Sequence, residues 1–154
     1  MLHIFIDADA CPVKEEVYRV ATRYDLGVSV VSNSRMRVPS EPRVALVVVA
    51  DGFDAADDWI ATHAGADDIV ISADIPLASR CLANGAHVLG HTGRPFTEDN
   101  IGDALASREL LSGLRQSGDV TGGPPPFHER DRSRFLQGLD TIVQQIRARR
   151  ARAG

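Results

Sequence analysis

The sequence predicts an α/β domain built on a mainly parallel central sheet flanked by helices, with a C-terminal helical extension. Three observations carry this. Short β-branched runs alternate with helical stretches, the pattern of consecutive βαβ units. A length of 154 residues suits one domain with its own core. An amphipathic segment stands last, beyond a breaker-rich loop, and its apolar stripe needs a surface to cover. The expected organisation is an α/β body over 1–117, a Gly/Pro-rich loop over 118–127, and a helix with a basic tail over 128–154 packed on the same domain.

Leu2 to Ile6 reads as the first strand. Pro12 suits the first position of the helix that follows, where a missing N–H and a fixed φ do no harm. Val13, Val17, Val20 and Tyr24 recur at helical spacing, and Gly27 is placed to end that helix. Val28 to Val31 is the second strand, and Ser32 to Pro42, polar with two prolines, is a loop. Val44 to Val49 is apolar on both faces and is predicted to lie centrally. Asp54 is expected to cap a helix running through His63, with Gly65 beyond it. Ile69 to Ile71 is a further parallel strand, Asp74 to Asn84 a helix stopped by Gly85, and His87 to Leu89 the last strand. Thr97 to Gln116 reads as one or two helices and Gly118 to Pro126 as a loop. Ser133 to Arg150 is an amphipathic helix with Phe135, Leu139, Ile142, Val143 and Ile146 on one side.

Composition narrows the function classes. The longest apolar run, Val44 to Ala50, is seven residues, against the ~20 that span a bilayer. Met1 to Ile6 lacks a basic start, and Asp7 and Asp9 follow at once, so no signal peptide is expected. A cytoplasmic protein without a membrane partner is the expectation. Cys11 and Cys81 are the only cysteines, too few for a disulfide framework and without zinc-site spacing. Charge is uneven: residues 128–154 hold seven Arg and three acids, a net of +4, while 1–127 hold ten basic and eighteen acidic residues, a net of −8, giving the formal −4. Such a body does not advertise nucleic-acid binding as a uniformly basic domain would. An enzyme that holds cations with carboxylates would look the same.

The aspartates are informative by position. Ligands of open parallel sheets bind beyond the carboxyl ends of the strands. Asp7 and Asp9 follow the first strand, Asp51 and Asp54 the third, and Asp74 the fourth, while Asp57 and Asp58 lie one helical turn from Asp54. Two like charges ~4 Å apart repel by about 4 kcal/mol at an effective dielectric near 20, so converging carboxylates take up protons or a divalent cation. Oxygen ligands without nearby His or Cys favour Mg²⁺ or Mn²⁺ over zinc. Phosphodiester hydrolysis is the chemistry such a site supports. Asp54 and Asp74 also stand where a helix cap is wanted, whereas a DxD pair ending a buried strand serves no structural need.

A DxD strand end fits a second chemistry. In a haloacid-dehalogenase-type phosphatase the first Asp is a nucleophile and the second a general acid. Ser32 could then bind phosphate. That chemistry calls for a downstream basic residue, usually Lys, and the only lysine, Lys14, lies too near the DxD.

AADDWIA at 55–61 followed by IVISADIPLA at 69–78 resembles the core of 5′-nuclease and PIN-like domains. The 5′-nuclease pattern often has a second acid two residues after the strand-end one. Pro76 stands there, implying one well-held metal and a weaker second. DADACPVKEEV at 7–17, SNS at 32–34, GFDAADDWI at 52–60, ISADIPLA at 71–78 and FTEDNI at 96–101 resemble the YaiI/YqxD family of bacterial proteins, as do Arg108, GLR at 113–115, GGPPPF at 122–127 and DRSRF at 131–135. The resemblance covers nearly the full length. It implies a PIN-like domain, and with it a metal-dependent nuclease fold.

The expected function is therefore a Mg²⁺- or Mn²⁺-dependent nuclease acting on RNA or single-stranded nucleic acid. Asp7, Asp58 and Asp74 are the expected catalytic residues, and Asp7, Asp9, Asp54, Asp57, Asp58 and Asp74 the expected metal ligands. Lys14, Ser32, Asn33, Arg108 and Arg132 are the candidates for binding substrate phosphates. A nucleic-acid- or ribosome-associated binding module without cleavage is the alternative, and the phosphatase the third reading. The stripe at 135–146 could instead make a homodimer.

Overall fold

The computed structural model describes residues 2–9, 11–50, 52, 54–102 and 127–153. In chain order these form β1 (His3–Asp7), α1 (Lys14–Tyr24), β2 (Gly27–Ser32), β3 (Val44–Val48), α2 (Ala55–His63), β4 (Ile69–Ile71), α3 (Ile75–Ala83), β5 (His87–Leu89) and β6 (Pro95–Phe96). A helix α4 begins at 98 and is described through 102, and α5 (Glu129–Ala153) ends the chain. The loop expected over Gly118 to Pro126, and the rest of the helical region expected up to Gln116, lie outside the described residues.

One six-stranded sheet runs in the order β3-β2-β1-β4-β5-β6. All neighbours are parallel except β5 and β6, so His87–Leu89 is not the last strand: the chain turns back to add an antiparallel edge. The centre belongs to β1, paired with β2 on one side and β4 on the other. Its side chains alternate between layers, Ile4 and Ile6 into one core and Phe5 into the other. Helices α1 and α5 cover the first face, and α2 and α3 the second.

Val44–Val48 lies at the edge and not centrally as its composition suggested. Apolarity on both faces reports the layers above and below a strand, not its lateral neighbours. Leu46 packs on one layer and Val47 and Val49 on the other, so the run needs no strand on its far side.

Helix ends also shift. Pro12 and Val13 form a turn and α1 starts at Lys14. It closes on Asp25 in the left-handed region (φ 54), while Gly27 opens β2. A side chain at Gly27 would put Cβ 2.6 Å from the His3 ring, so this glycine permits close strand approach. Helix α5 begins at Glu129, ahead of Ser133.

The α5 stripe is consumed by the fold. Phe135, Leu139, Ile142, Val143 and Ile146 are all buried in the core shared with α1, so this stripe cannot also form a homodimer. Asp140 accepts from Tyr24 Oη at 2.8 Å and pairs with Arg23 at 3.1 Å. Among the described residues, no helix is long and apolar enough to cross a membrane.

The turn after β5 presses directly on α5. A Cβ at Gly138 would stand 2.5 Å from Gly93 O, and one at Gly93, whose φ is +87, would stand 2.4 Å from Arg134 O. Gly to Ala within a helix ordinarily stabilises by about 0.8–1.0 kcal/mol. Here the sign reverses: Gly138→Ala should lose about 1–3 kcal/mol in urea unfolding, while the exposed Ser133→Ala control stays within about 0.5 kcal/mol of the parent. A Gly138→Ala protein as stable as the parent would refute this contact.

Candidate functional site

Parallel strands carry their following residues to one edge of the sheet. From β1 the chain leaves through α1 to β2, while β4 lies on the other side of β1, which opens a crevice at their carboxyl ends. A cleft of about 440 Å³ lies there, lined by Asp7, Asp9, Asp54, Asp57 and Asp74 together with Ser32, Asn33 and Ser34. Three strand ends and one helix start thus bring five of the six expected metal-ligand carboxylates together.

Each is held differently. Asp7 ends the central strand half-buried, and its Oδ2 accepts from Ser72 Oγ at 2.9 Å. Burial pushes its carboxyl up, the Ser72 hydrogen bond opposes this, and the charges of Asp74 and Asp9 add to the rise. Ser72 is fully buried, and its Oγ in turn accepts from Asp74 N–H at 3.0 Å. Asp74 caps α3, with Oδ1 accepting from Leu77 N–H at 2.9 Å, so the capping reading holds for it without removing it from the cleft. Asp54 occupies the cap position of α2 in the left-handed region (φ 66) but makes no side-chain cap. Its carboxylate lines the cleft instead. Burial and the charges of Asp74, Asp7 and Asp54 push the Asp57 carboxyl up to about 6.

Asp58 does not join them. It points away and pairs with Arg80 at 2.8 Å, both side chains largely exposed. Consecutive helical residues diverge by about 100°, so only one of Asp57 and Asp58 can face the cleft. Asp57 stands one turn before buried Ala61, and Asp58 one turn before exposed Thr62. The expected substrate cations are also committed elsewhere. Lys14 Nζ donates to Cys11 O at 2.8 Å and Ala8 O at 3.4 Å, stapling the loop after β1. Arg132 donates to Pro12 O, pairs with Glu16 at 3.4 Å and lies over the Phe127 ring. Ser32 Oγ accepts from Ser34 N–H at 3.2 Å, a turn that holds Asn33 at the cleft wall. Arg108, Arg115 and Asp51 lie outside the described residues.

The five carboxylates share a cleft without closing a shell: among the described residues, no three His, Cys, Asp or Glu side chains are grouped so as to hold an ion as they stand. Cys11 and Cys81 are buried and unpaired, with burial raising both thiols, Cys81 to about 11. Neither is an activated nucleophile. Sequence reasoning missed Ser72. Its only sequence signal is a hydroxyl one residue past a buried strand and two before an acid.

A family model described as "Uncharacterized BCR, YaiI/YqxD family" matches residues 5–145. A UPF0178 protein of Bradyrhizobium sp. (strain ORS 278) is 55% identical over 148 residues, covering 96% of this chain and 90% of that protein. One of Parvibaculum lavamentivorans is 57% identical over 149 residues, with 97% and 98% covered. One of Sphingopyxis alaskensis is 57% identical over 145 residues, with 94% of each covered.

Two tests follow from this geometry. Ser72 donates to the ionised form of Asp7, so Ser72→Ala should raise the Asp7 pKa further in a carboxyl NMR titration, and Ser72→Thr should restore it. An unchanged Asp7 titration in Ser72→Ala would rule the bond out as a determinant. For Asp57 the folded pKa of about 6 exceeds the ordinary 3.8, so its ionisation opposes folding and stability falls as pH rises from about 4 through 6. Asp57→Asn should therefore melt higher than the parent at neutral pH in metal-free buffer, with the gain vanishing near pH 4. A lower melting point at neutral pH would contradict the repulsion.

Proposed function

The chain belongs to the YaiI/YqxD family, and on that premise we propose that it is a PIN-like Mg²⁺- or Mn²⁺-dependent nuclease acting on RNA or single-stranded nucleic acid. One observation carries this reading: five carboxylates from separate strand and helix ends line one cleft, and two of them have pKa values raised partly by the others. Repulsion of that kind is relieved by a divalent cation. An all-oxygen donor set fits a hard ion, and Asp7, Asp57 and Asp74 would hold it, with Asp9 and Asp54 at the mouth. Asp57 takes the role that sequence reasoning gave to Asp58. Bound there, such an ion supplies Lewis-acid polarisation of a phosphate oxygen and acidification of a water.

The chain's own groups orient the rest. Ser72 fixes the Asp7 carboxylate while its oxygen receives the Asp74 amide, so two acids move as one unit. Ser32, Asn33 and Ser34 offer hydroxyl, amide and backbone donors to a phosphate at the cleft wall. Among the described residues no Lys or Arg lines the cleft. A polyanion therefore meets only negative charge there until a cation binds, which makes substrate binding as well as hydrolysis metal-dependent.

The unclosed ligand set favours a second reading, a nucleic-acid- or ribosome-associated module without cleavage. Calorimetric titration with Mn²⁺ separates the two. The parent should bind stoichiometrically and Asp7→Asn should not, and Asp7→Asn and Asp74→Asn should each abolish cleavage of single-stranded RNA with circular dichroism unchanged. Asn is itself a good N-cap, so Asp74→Asn should keep α3. Binding of RNA that persists in EDTA and in Asp7→Asn, without cleavage, would replace the nuclease with the binding module.

A further inference from the structure

Strand β3 is one end strand of the sheet, with β2 its only strand neighbour among the described residues. Its parallel register with β2, Val28↔Val44 through Ser32↔Val48, determines which backbone groups face inward. Val28 N–H donates to Arg43 O at 2.8 Å and Val49 N–H to Ser32 O at 2.9 Å, so residues 43, 45, 47 and 49 bond to β2. Val44, Leu46 and Val48 turn their backbone outward. The Val44 N–H is taken by Glu41 O at 3.1 Å, while among the described residues the Leu46 and Val48 N–H groups have no backbone partner.

Native edges are ordinarily blunted by charge, proline or a bulge. The run VALVV has no charge and no Pro. Val48 is 48% exposed, the one exposed large hydrophobic among the described residues. Beside it, a groove of about 460 Å³ opens between the strand and α2, lined in part by Val47, Val49, Trp59, Thr62 and His63.

We propose that this edge pairs antiparallel with the same edge of a second copy, about a twofold axis at Leu46, to make one continuous sheet. In that register each Leu46 N–H donates to the partner's Leu46 O, and each Val48 N–H to the partner's Val44 O. Both of these donors in each copy are satisfied, and nothing is asked of the Val44 N–H already in use. The helix orientation agrees as well. The axis sets α2 antiparallel to the partner's α2, so the helix dipoles oppose. The two acidic clefts stay open at opposite ends, so the pairing does not depend on the nuclease reading.

Sedimentation equilibrium from micromolar to submillimolar protein tests this directly. The parent should show twice the chain mass. Val48→Lys should raise the dissociation constant about tenfold or more, with circular dichroism unchanged, and Val48→Thr should remain dimeric. Amide exchange supplies a second readout that needs no variant: the Leu46 and Val48 amides should be protected at high concentration and exchange freely on dilution. A parent monomeric at submillimolar concentration, a dimer indifferent to Val48→Lys, or unprotected Leu46 and Val48 amides in a dimer would each overturn the proposal.

Discussion

The hydrogen bond from Ser72 Oγ to Asp7 Oδ2 joins the ends of the two innermost strands. Asp7 closes β1, and Ser72 follows β4 directly. The same hydroxyl receives the amide of Asp74, the residue that caps α3. One buried oxygen thus links the sheet centre, the start of a helix and the floor of the acidic cleft. A half-buried carboxylate at this point needs a donor, because burial alone drives it toward protonation. Ser72 supplies that donor without bringing a positive charge. The cleft therefore keeps its negative potential, and the strands keep their register.

The layers on either side make that arrangement rigid. Ile4, Ile6, Val28, Val30, Ile69 and Ile71 face α1 and α5, and Phe5, Val70 and Val88 face α2 and α3. Helix α5 closes the first face as a strap. Near its start Arg132 reaches the loop after β1, its middle meets the turn at Gly93 backbone to backbone, and near its end Arg149 pairs with Asp67 in the loop before β4. The strap is thus held near both of its own ends and at its middle. Carboxylates that repel one another tolerate a shared cleft only when the frame beneath them cannot spread.

Much of this was legible in the sequence because strands and helices write different periods. The β1, β2, β4 and β5 segments, the α2 and α3 limits and the α5 stripe follow from alternation and three-to-four spacing. Lateral order does not. Val44–Val48 reads as central because side-chain polarity records what lies above and below a strand, and only backbone bonding records what lies beside it. The choice between Asp57 and Asp58 was available in principle, since Ala61 and Thr62 one turn later disclose which face is buried. Ser72 was not available: a serine after a strand carries no periodicity, and its role exists only once β1 and β4 are adjacent.

The charge asymmetry acquires a different meaning in three dimensions. An acidic body and an arginine-rich tail suggest a substrate path running from one to the other. Yet α5 carries its arginines across the sheet and away from the cleft. Arg132 is spent on Pro12 and Glu16, Arg147 lies over Tyr24, and Arg149 pairs with Asp67 beside the opposite edge. Arg80, near enough to matter, is turned outward by Asp58. With Lys14 tied to backbone carbonyls, no positively charged side chain among the described residues lines the cleft. Its electrostatics rest on how many of its carboxylates are ionised. Burial and the charges of Asp74, Asp7 and Asp54 push the Asp57 carboxyl up to about 6, so its charge changes within reach of neutrality and ties the field in the cleft to pH.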